Sequence, residues 1–243
     1  MQSGSWFRTE YGLQEVAGRL YLTPASSEVE WYQPLSLPPP AKQPKRQQEW
    51  QEWPHTALAR VRSPGDASGF ARRWGPLGLG WIEKSFGVPS KQPFFMPRRK
   101  GLCRYREPVD AFLRAAREFR RCVTLLRGER PEGKRLPKTP QDCKTAGADM
   151  LSSYLRDCRP FVVYCGEPSG WETTWQAPSL LHYCYLLVWL DLTRGRQWHI
   201  CEHRPCGEFF LRSRPTQRFC SEQCERNFRR LKSYYDKRLK KVD

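Results

Sequence analysis

The 243-residue sequence predicts an α+β chain that is predominantly α-helical: a helical N-terminal domain with a small β-hairpin, followed by a small module built around cysteines. Three observations lead to it. Apolar residues recur at spacings of three and four from Val109 to Leu126, and an almost wholly apolar run follows Pro178. Between them, residues 161–175 switch to a short β-prone pattern with a glycine-containing turn. Finally, four of the ten cysteines fall in two close pairs near the C-terminus.

Residues 1–60 read as weakly structured, and 24–54 as a Pro-rich, partly extended arm, because seven prolines from Pro24 to Pro54 interrupt any period. Trp31, Trp50 and Trp53 in this stretch imply that parts of it lie against the folded body. Residues 61–195 form the expected helical domain. Ser63 is suited to cap a helix with Pro64 in its first position and Asp66 three residues after the cap, and Gly75 closes it ahead of a glycine-rich turn. Pro108 opens a second helix that Gly128 ends, with Arg114, Arg117, Arg120 and Arg121 opposite its apolar face. A basic loop over 129–144 leads to a helix near 146–158. Phe161–Cys165 and Trp171–Trp175 read as the two strands of a hairpin. Pro178 and Ser179 then start a helix that is apolar all round, hence buried, and that Gly195 terminates.

Composition narrows the function. Lys and Arg exceed Asp and Glu by 42 to 25, a formal +17, which suits a polyanionic partner. The longest apolar run, Ser179 to Leu192, is fourteen residues long and contains His182 and Asp191, so a spanning helix of about 20 apolar residues is not expected. The N-terminus lacks a basic start followed by an apolar stretch, and a cytoplasmic protein is expected. In such a reducing compartment the scattered Cys103, Cys122, Cys143, Cys158, Cys165 and Cys184 should remain thiols.

Cys201, Cys206, Cys220 and Cys224 have metal-site spacing, C-x4-C and C-x3-C separated by thirteen residues. Two short chelating loops can bring four thiolates to one structural Zn2+ with little backbone strain. Gly207 permits the tight turn of a knuckle, Phe209 to Leu211 form a β-prone segment, and Ser221 caps a helix whose first turn carries Cys224. Knuckle, hairpin and helix together describe a treble-clef-like zinc finger over 196–243. His199 and His203 are rival ligands, but with four cysteines in place they read as surface residues.

The stretch from Cys201 to Arg230 resembles the CGNR-type zinc fingers of bacterial transcription regulators. The resemblance rests on Cys201, Cys206, Gly207, Phe209, Phe210, Ser213, Arg214, Arg218, Phe219, Cys220 and Ser221, with the hairpin and apolar helix over 160–195 resembling the end of that family's helical domain. Where the family has Cys-Gly-Asn-Arg this chain has Cys224-Glu225-Arg226-Asn227, and its second cysteine pair is one residue closer. The resemblance implies DNA binding and transcription regulation, with the helical domain sensing a signal or associating into a homo-oligomer.

Residues 194–243 carry fourteen basic and six acidic side chains, nearly half of the formal charge in about a fifth of the chain. Arg212, Arg214, Arg218, Arg226, Arg229, Arg230, Lys237 and Lys241 are the expected nucleic-acid contacts, through phosphates or a groove. DNA is the expected partner. RNA, or an acidic protein docked on a zinc-stapled adaptor, are the alternatives. No G-x-S-x-G, P-loop, dinucleotide glycine pattern or H-E-x-x-H occurs, and no His follows Cys206 to serve a treble-clef nuclease, so an enzyme is not expected. A Ser–His or Cys–His pair remains conceivable among the four histidines. Trp171, Trp175 and Trp189 read as core residues, with an effector pocket as the alternative.

Overall fold

A computed structural model describes residues 6–26, 30–32, 53–79, 105–131, 139–164, 171–203, 205–212 and 214–239. About half of these are helical and the strands form small sheets, so the chain mixes α and β structure. It divides into two compact units, Met1–Leu190 and Asp191–Asp243.

The first unit opens with strands where a weakly structured segment is expected. β1 (Trp6–Arg8) pairs antiparallel with β4 (Glu30–Tyr32), while β2 (Tyr11–Val16) and β3 (Arg19–Pro24) form a hairpin. The correction has a local cause. The two-residue turn Ala17–Gly18 has both φ values positive, at 52° and 74°, which matches the twist of the flanking strands. Alanine is an unusual residue there, so the turn carries no hairpin signature. Most of the Pro-rich arm, including Trp50, lies outside the described residues.

Helix α1 (Pro54–Arg60) precedes α2 (Pro64–Trp74), where the expected cap is in place. Ser63 Oγ accepts from the Asp66 amide at 3.2 Å, and Asp66 accepts in return from the Ser63 amide at 2.9 Å. Gly75, at φ 86°, ends α2; a side chain there would begin 2.1 Å from the carbonyl oxygen of Phe7. The turn that follows receives a buried carboxyl group. Glu107, fully buried, accepts from the amides of Leu77, Gly78 and Leu79 at 2.6–2.8 Å and from the Tyr105 hydroxyl at 2.7 Å. Burial outweighs the pull of these four donors and holds its carboxyl above the ordinary carboxylate range. Glu107 belongs to β5 (Glu107–Pro108), which pairs with β3, so one carboxyl group ties the glycine turn to the three-stranded sheet.

Helix α3 (Val109–Leu126) is the centre of the unit. Pro108 caps it, and Val109, Phe112, Ala115, Ala116, Phe119, Cys122, Val123 and Leu125 are buried. Its neighbours are α1, α2, β3 and α4 (Pro140–Leu155). Helix α4 begins earlier than its apolar pattern indicates, inside the expected basic loop. Thr139 and Asp142 form a capping box there, with Pro140 in the first turn. Antiparallel strands β6 (Arg159–Tyr164) and β7 (Trp171–Gln176) form the expected hairpin. Helix α5 (Leu180–Thr193) is buried over most of its length, and Trp175 meets Trp189 edge to face at 5.4 Å. The division between the two units falls inside α5.

Candidate metal centre

The second unit brings its ligands together from three local structures. After Gly195 (φ 69°), β8 (Trp198–Ile200) pairs antiparallel with β9 (Phe209–Leu211), which places Ile200 opposite Phe209. Cys201 leaves the end of β8, and its amide donates to the Glu208 carbonyl at 2.9 Å. Between the strands the chain turns at His203, whose carbonyl accepts from the amides of Cys206 (2.8 Å) and Gly207 (3.3 Å). Gly207 has φ 56°, the left-handed conformation that a knuckle turn asks of glycine. Trp198, Phe209 and Phe210 are buried and provide the unit's apolar core.

The second pair of cysteines enters on a helix. Ser221 Oγ accepts from the Cys224 amide at 3.2 Å, so it caps α6 (Glu222–Leu239) as the sequence predicts, with Cys224 in the first turn. Phe219 and Phe228 are 5.1 Å apart and fasten the start of this helix to the preceding turn.

Here Cys201, Cys206, Cys220 and Cys224 converge, all four sulfurs lying within 4.8 Å of one another. Cys220 Sγ is 3.5 Å from both Cys206 Sγ and Cys224 Sγ. Four sulfurs at about 2.3 Å from a tetrahedral zinc are about 3.8 Å apart along each edge, so the cluster has the size of a thiolate metal cage. The eight cysteines among the described residues are all free thiols.

Electrostatics argues for a cation as well. Desolvation pushes the Cys206 thiol up to about 11 and Cys220 higher still. At Cys224 burial also raises the value, but hydrogen bonds from Ser221 and the neighbouring thiols outweigh it and bring it below the ordinary range. Four sulfurs this close cannot all ionise on their own, whereas a central divalent ion removes the mutual repulsion and holds every thiolate deprotonated. The donor set therefore fits a metal ion.

Neither rival histidine joins the four-sulfur group. The expectation that both are surface residues fails for His203, which is only 8% exposed because the knuckle turns its backbone there. Its Nδ1 is buried without a hydrogen bond. His199 is half-buried, with Nε2 3.4 Å from Gln197 Oε1.

The expected nucleic-acid contacts separate into two groups. Arg218 is engaged in a forked ion pair with Glu202, Arg229 bonds Glu225 at 2.5 Å, and Arg212 Nη1 donates to the Pro215 carbonyl at 3.0 Å. Arg214, Arg226 and Arg230 are exposed and have no ion-pair partner among the described residues. Arg226 and Arg230 stand one turn apart on α6, and Lys237 shares their face by position. The Lys237 side chain and all of Lys241 lie outside the described residues. Glu202, the clamp on Arg218, has no signature that reading along the sequence could detect, since its partner is sixteen residues away.

A Ser–His pair does exist in the first unit. Ser179 Oγ lies 2.7 Å from His182 Nδ1 and also accepts the His182 amide at 3.3 Å. Ser179 is fully buried, and its hydroxyl serves to cap α5 and fix the imidazole.

Among the described residues no helix is long and apolar enough to cross a membrane. The chain matches no protein-family model and no curated protein.

Proposed function

We propose that residues 196–243 form a treble-clef-like module in which Cys201, Cys206, Cys220 and Cys224 hold one structural Zn2+, and that the module binds DNA through α6 as part of a cytoplasmic, bacterial-type transcription regulator. The observation that carries this reading is the exposed guanidinium pair Arg226 and Arg230, without an ion-pair partner among the described residues, on a helix whose first turn is anchored in the thiol cluster. A metal at that point fixes the direction of α6, and the two arginines follow one edge of it at a spacing suited to successive phosphates or a groove. Zinc with four thiolate ligands has no open position for water, so its contribution is structural. The roles of Arg218 and Arg229 are then secondary, because each already has a carboxylate partner.

The test is binding of the full chain to duplex DNA as a function of salt. The slope of log K against log salt should become shallower by about 0.9 for each phosphate contact removed, so Arg226→Ala plus Arg230→Ala should reduce it by nearly two and weaken binding. Arg229→Ala should change both much less. Equal weak affinity for every polyanion, unchanged in the Arg226/Arg230 double variant, sinks the proposal; preference for single-stranded RNA over duplex DNA replaces it with the RNA reading.

A protein partner is the second reading, and a different observation favours it. Leu231 is 40% exposed and Tyr234 56% exposed on the same helix, an apolar pair that phosphate contacts leave unused. Leu231→Ser with retained DNA affinity but lost co-purification of an acidic partner would support an adaptor.

A further inference from the structure

The arginines of α3 in the first unit have no part in its packing. By helical position Asp110, Arg114, Arg117 and Arg121 fall on one stripe of α3, and all four are exposed. Arg120 lies off this stripe and donates to the Val61 carbonyl. The single acid of the stripe is taken by another strand: Arg19 donates to both oxygens of Asp110 at 2.9 and 3.0 Å, against 3.9 Å for Arg114. Glu118, on the flank, accepts from the Tyr154 hydroxyl at 3.3 Å. Arg117 Nε donates to the Leu113 carbonyl of its own helix at 3.4 Å, and neither Arg117 nor Arg121 has an ion-pair partner among the described residues. The Tyr21 ring carries Arg19 at 5.8 Å and Arg106 at 4.9 Å, so Arg106 is held beside Arg19 at the start of the stripe.

This arrangement destabilises the helix that carries it. Arg114 with Arg117, and Arg117 with Arg121, are like charges three and four residues apart, whereas a helix face that serves only solubility alternates its signs. A polyanion would turn that repulsion into affinity. The side chains on the stripe narrow its nature. Every cation there is arginine, whose planar fork pairs bidentately with phosphate. No large apolar side chain of α3 is exposed, whereas a protein interface centres on apolar or aromatic anchors and a membrane-surface helix inserts an apolar face. Arg114 to Arg121 spans about 10 Å along the helix axis, enough for neighbouring phosphates of one strand.

We propose that Arg114, Arg117 and Arg121, with Arg106 at the N-terminal end, form a second nucleic-acid surface that binds the phosphate backbone of duplex DNA without reading its sequence. The choice of DNA rests on the reading proposed above for α6, while the charge and chemistry of the stripe belong to the first unit alone. Backbone contacts of this kind add affinity equally for every sequence and leave discrimination to other contacts.

The full chain should be titrated with two duplexes of unrelated sequence, each about 30 base pairs long, between about 50 and 200 mM salt. Arg117→Gln plus Arg121→Gln should make the slope of log K against log salt shallower by nearly two on both duplexes, so that the parent's advantage grows about tenfold from the higher salt to the lower. Arg117→Lys plus Arg121→Lys should keep most of the slope, because the charge remains. Arg127→Gln on the same helix removes a cation already paired with Glu129 at 2.6 Å and should change the slope much less per charge. The thermal midpoint of the glutamine variant should equal or exceed the parent's, since a like-charge pair is gone. A glutamine variant that binds like the parent overturns the proposal. So does an equal loss in the lysine variant, an equal loss per charge in Arg127→Gln, or a loss on one duplex only. Arg226→Ala plus Arg230→Ala, titrated alongside, judges the α6 reading separately. A loss there without a loss at α3 removes this surface and leaves that reading, a loss at α3 alone does the reverse, and failure of the parent to bind either duplex overturns both.

Discussion

His182 shows how a single buried side chain sets a pH dependence. It is 4% exposed, and desolvation lowers its pKa to about 4, against a smaller opposing pull from Asp157, whose Oδ2 lies 4.0 Å from Nε2. Ser179 Oγ accepts from the His182 amide and so can direct its own proton to Nδ1, which places the imidazole proton on Nε2, toward Asp157. The unfolded chain takes up this proton near pH 6.5 and the folded chain only near 4. Stability from the neutral ring is thus complete above about pH 6.5 and is lost as pH falls toward 4, by about 3 kcal/mol in all. Denaturant midpoints measured between pH 7 and 4 should fall more steeply in the parent than in His182→Asn, which keeps a side-chain amide near the Nδ1 position and does not titrate. Parallel curves would mean that the ring is already protonated, or already exposed, in the folded protein.

At the scale of elements, two interior glycines of helices have opposite meanings. A Cβ at Gly147 of α4 would sit 2.7 Å from the Leu126 amide nitrogen and 3.0 Å from the Leu125 carbonyl carbon and Cβ, so α3 and α4 cross at backbone contact there. Cys122 Sγ seals the same crossing by its contact with the Gly147 carbonyl at 3.6 Å. Gly147→Ala should therefore destabilise the first unit by about 1–3 kcal/mol through overpacking, although alanine favours the helix by about 1. Thermal unfolding of this variant beside Gly69→Ala, which should gain stability because a Cβ at Gly69 of α2 meets nothing within 4 Å, separates packing from propensity; a gain at both positions would show that the crossing can relax. Neither meaning is visible in the sequence, where both residues are simply glycine in a helical window. What was legible had local chemistry: the Ser63–Asp66 cap, the α3 periodicity, the β6–β7 hairpin, the Ser221 cap and the paired cysteines. What was missed depends on contacts between distant segments or on atypical turn residues. The Ala17–Gly18 hairpin lacks the Asn-Gly or Asp-Gly signal, β4 is defined only by its pairing with β1, and the α4 start was masked because its capping box lies in a stretch that reads as a charged loop. At the candidate centre the ligands were legible from spacing alone, while Glu202's hold on Arg218 and the burial of His203 arise only when the knuckle closes.

At the scale of the whole molecule, the two units differ in what can hold them folded. The first buries an extensive apolar set around α3 and α5. The second, Asp191–Asp243, buries little beyond Trp198, Phe209 and Phe210 among the described residues, and its basic residues exceed its acidic ones by seven, so they repel one another. A core this small does not stabilise a domain of its size, and structural zinc supplies about 10–16 kcal/mol in comparable finger peptides. Protein purified without added metal should contain one zinc per chain by elemental analysis, and Cys220→Ser should lose it. Strong chelation of the parent should expose the arginines and lysines after Asp191 to trypsin and reduce helical signal by the share of α6, while a fragment ending near Leu190 persists because its core contains no part of the cluster. Uniform resistance across the chain after chelation would show that the cysteine module folds without metal; simultaneous digestion of the first unit would show that its stability depends on the second.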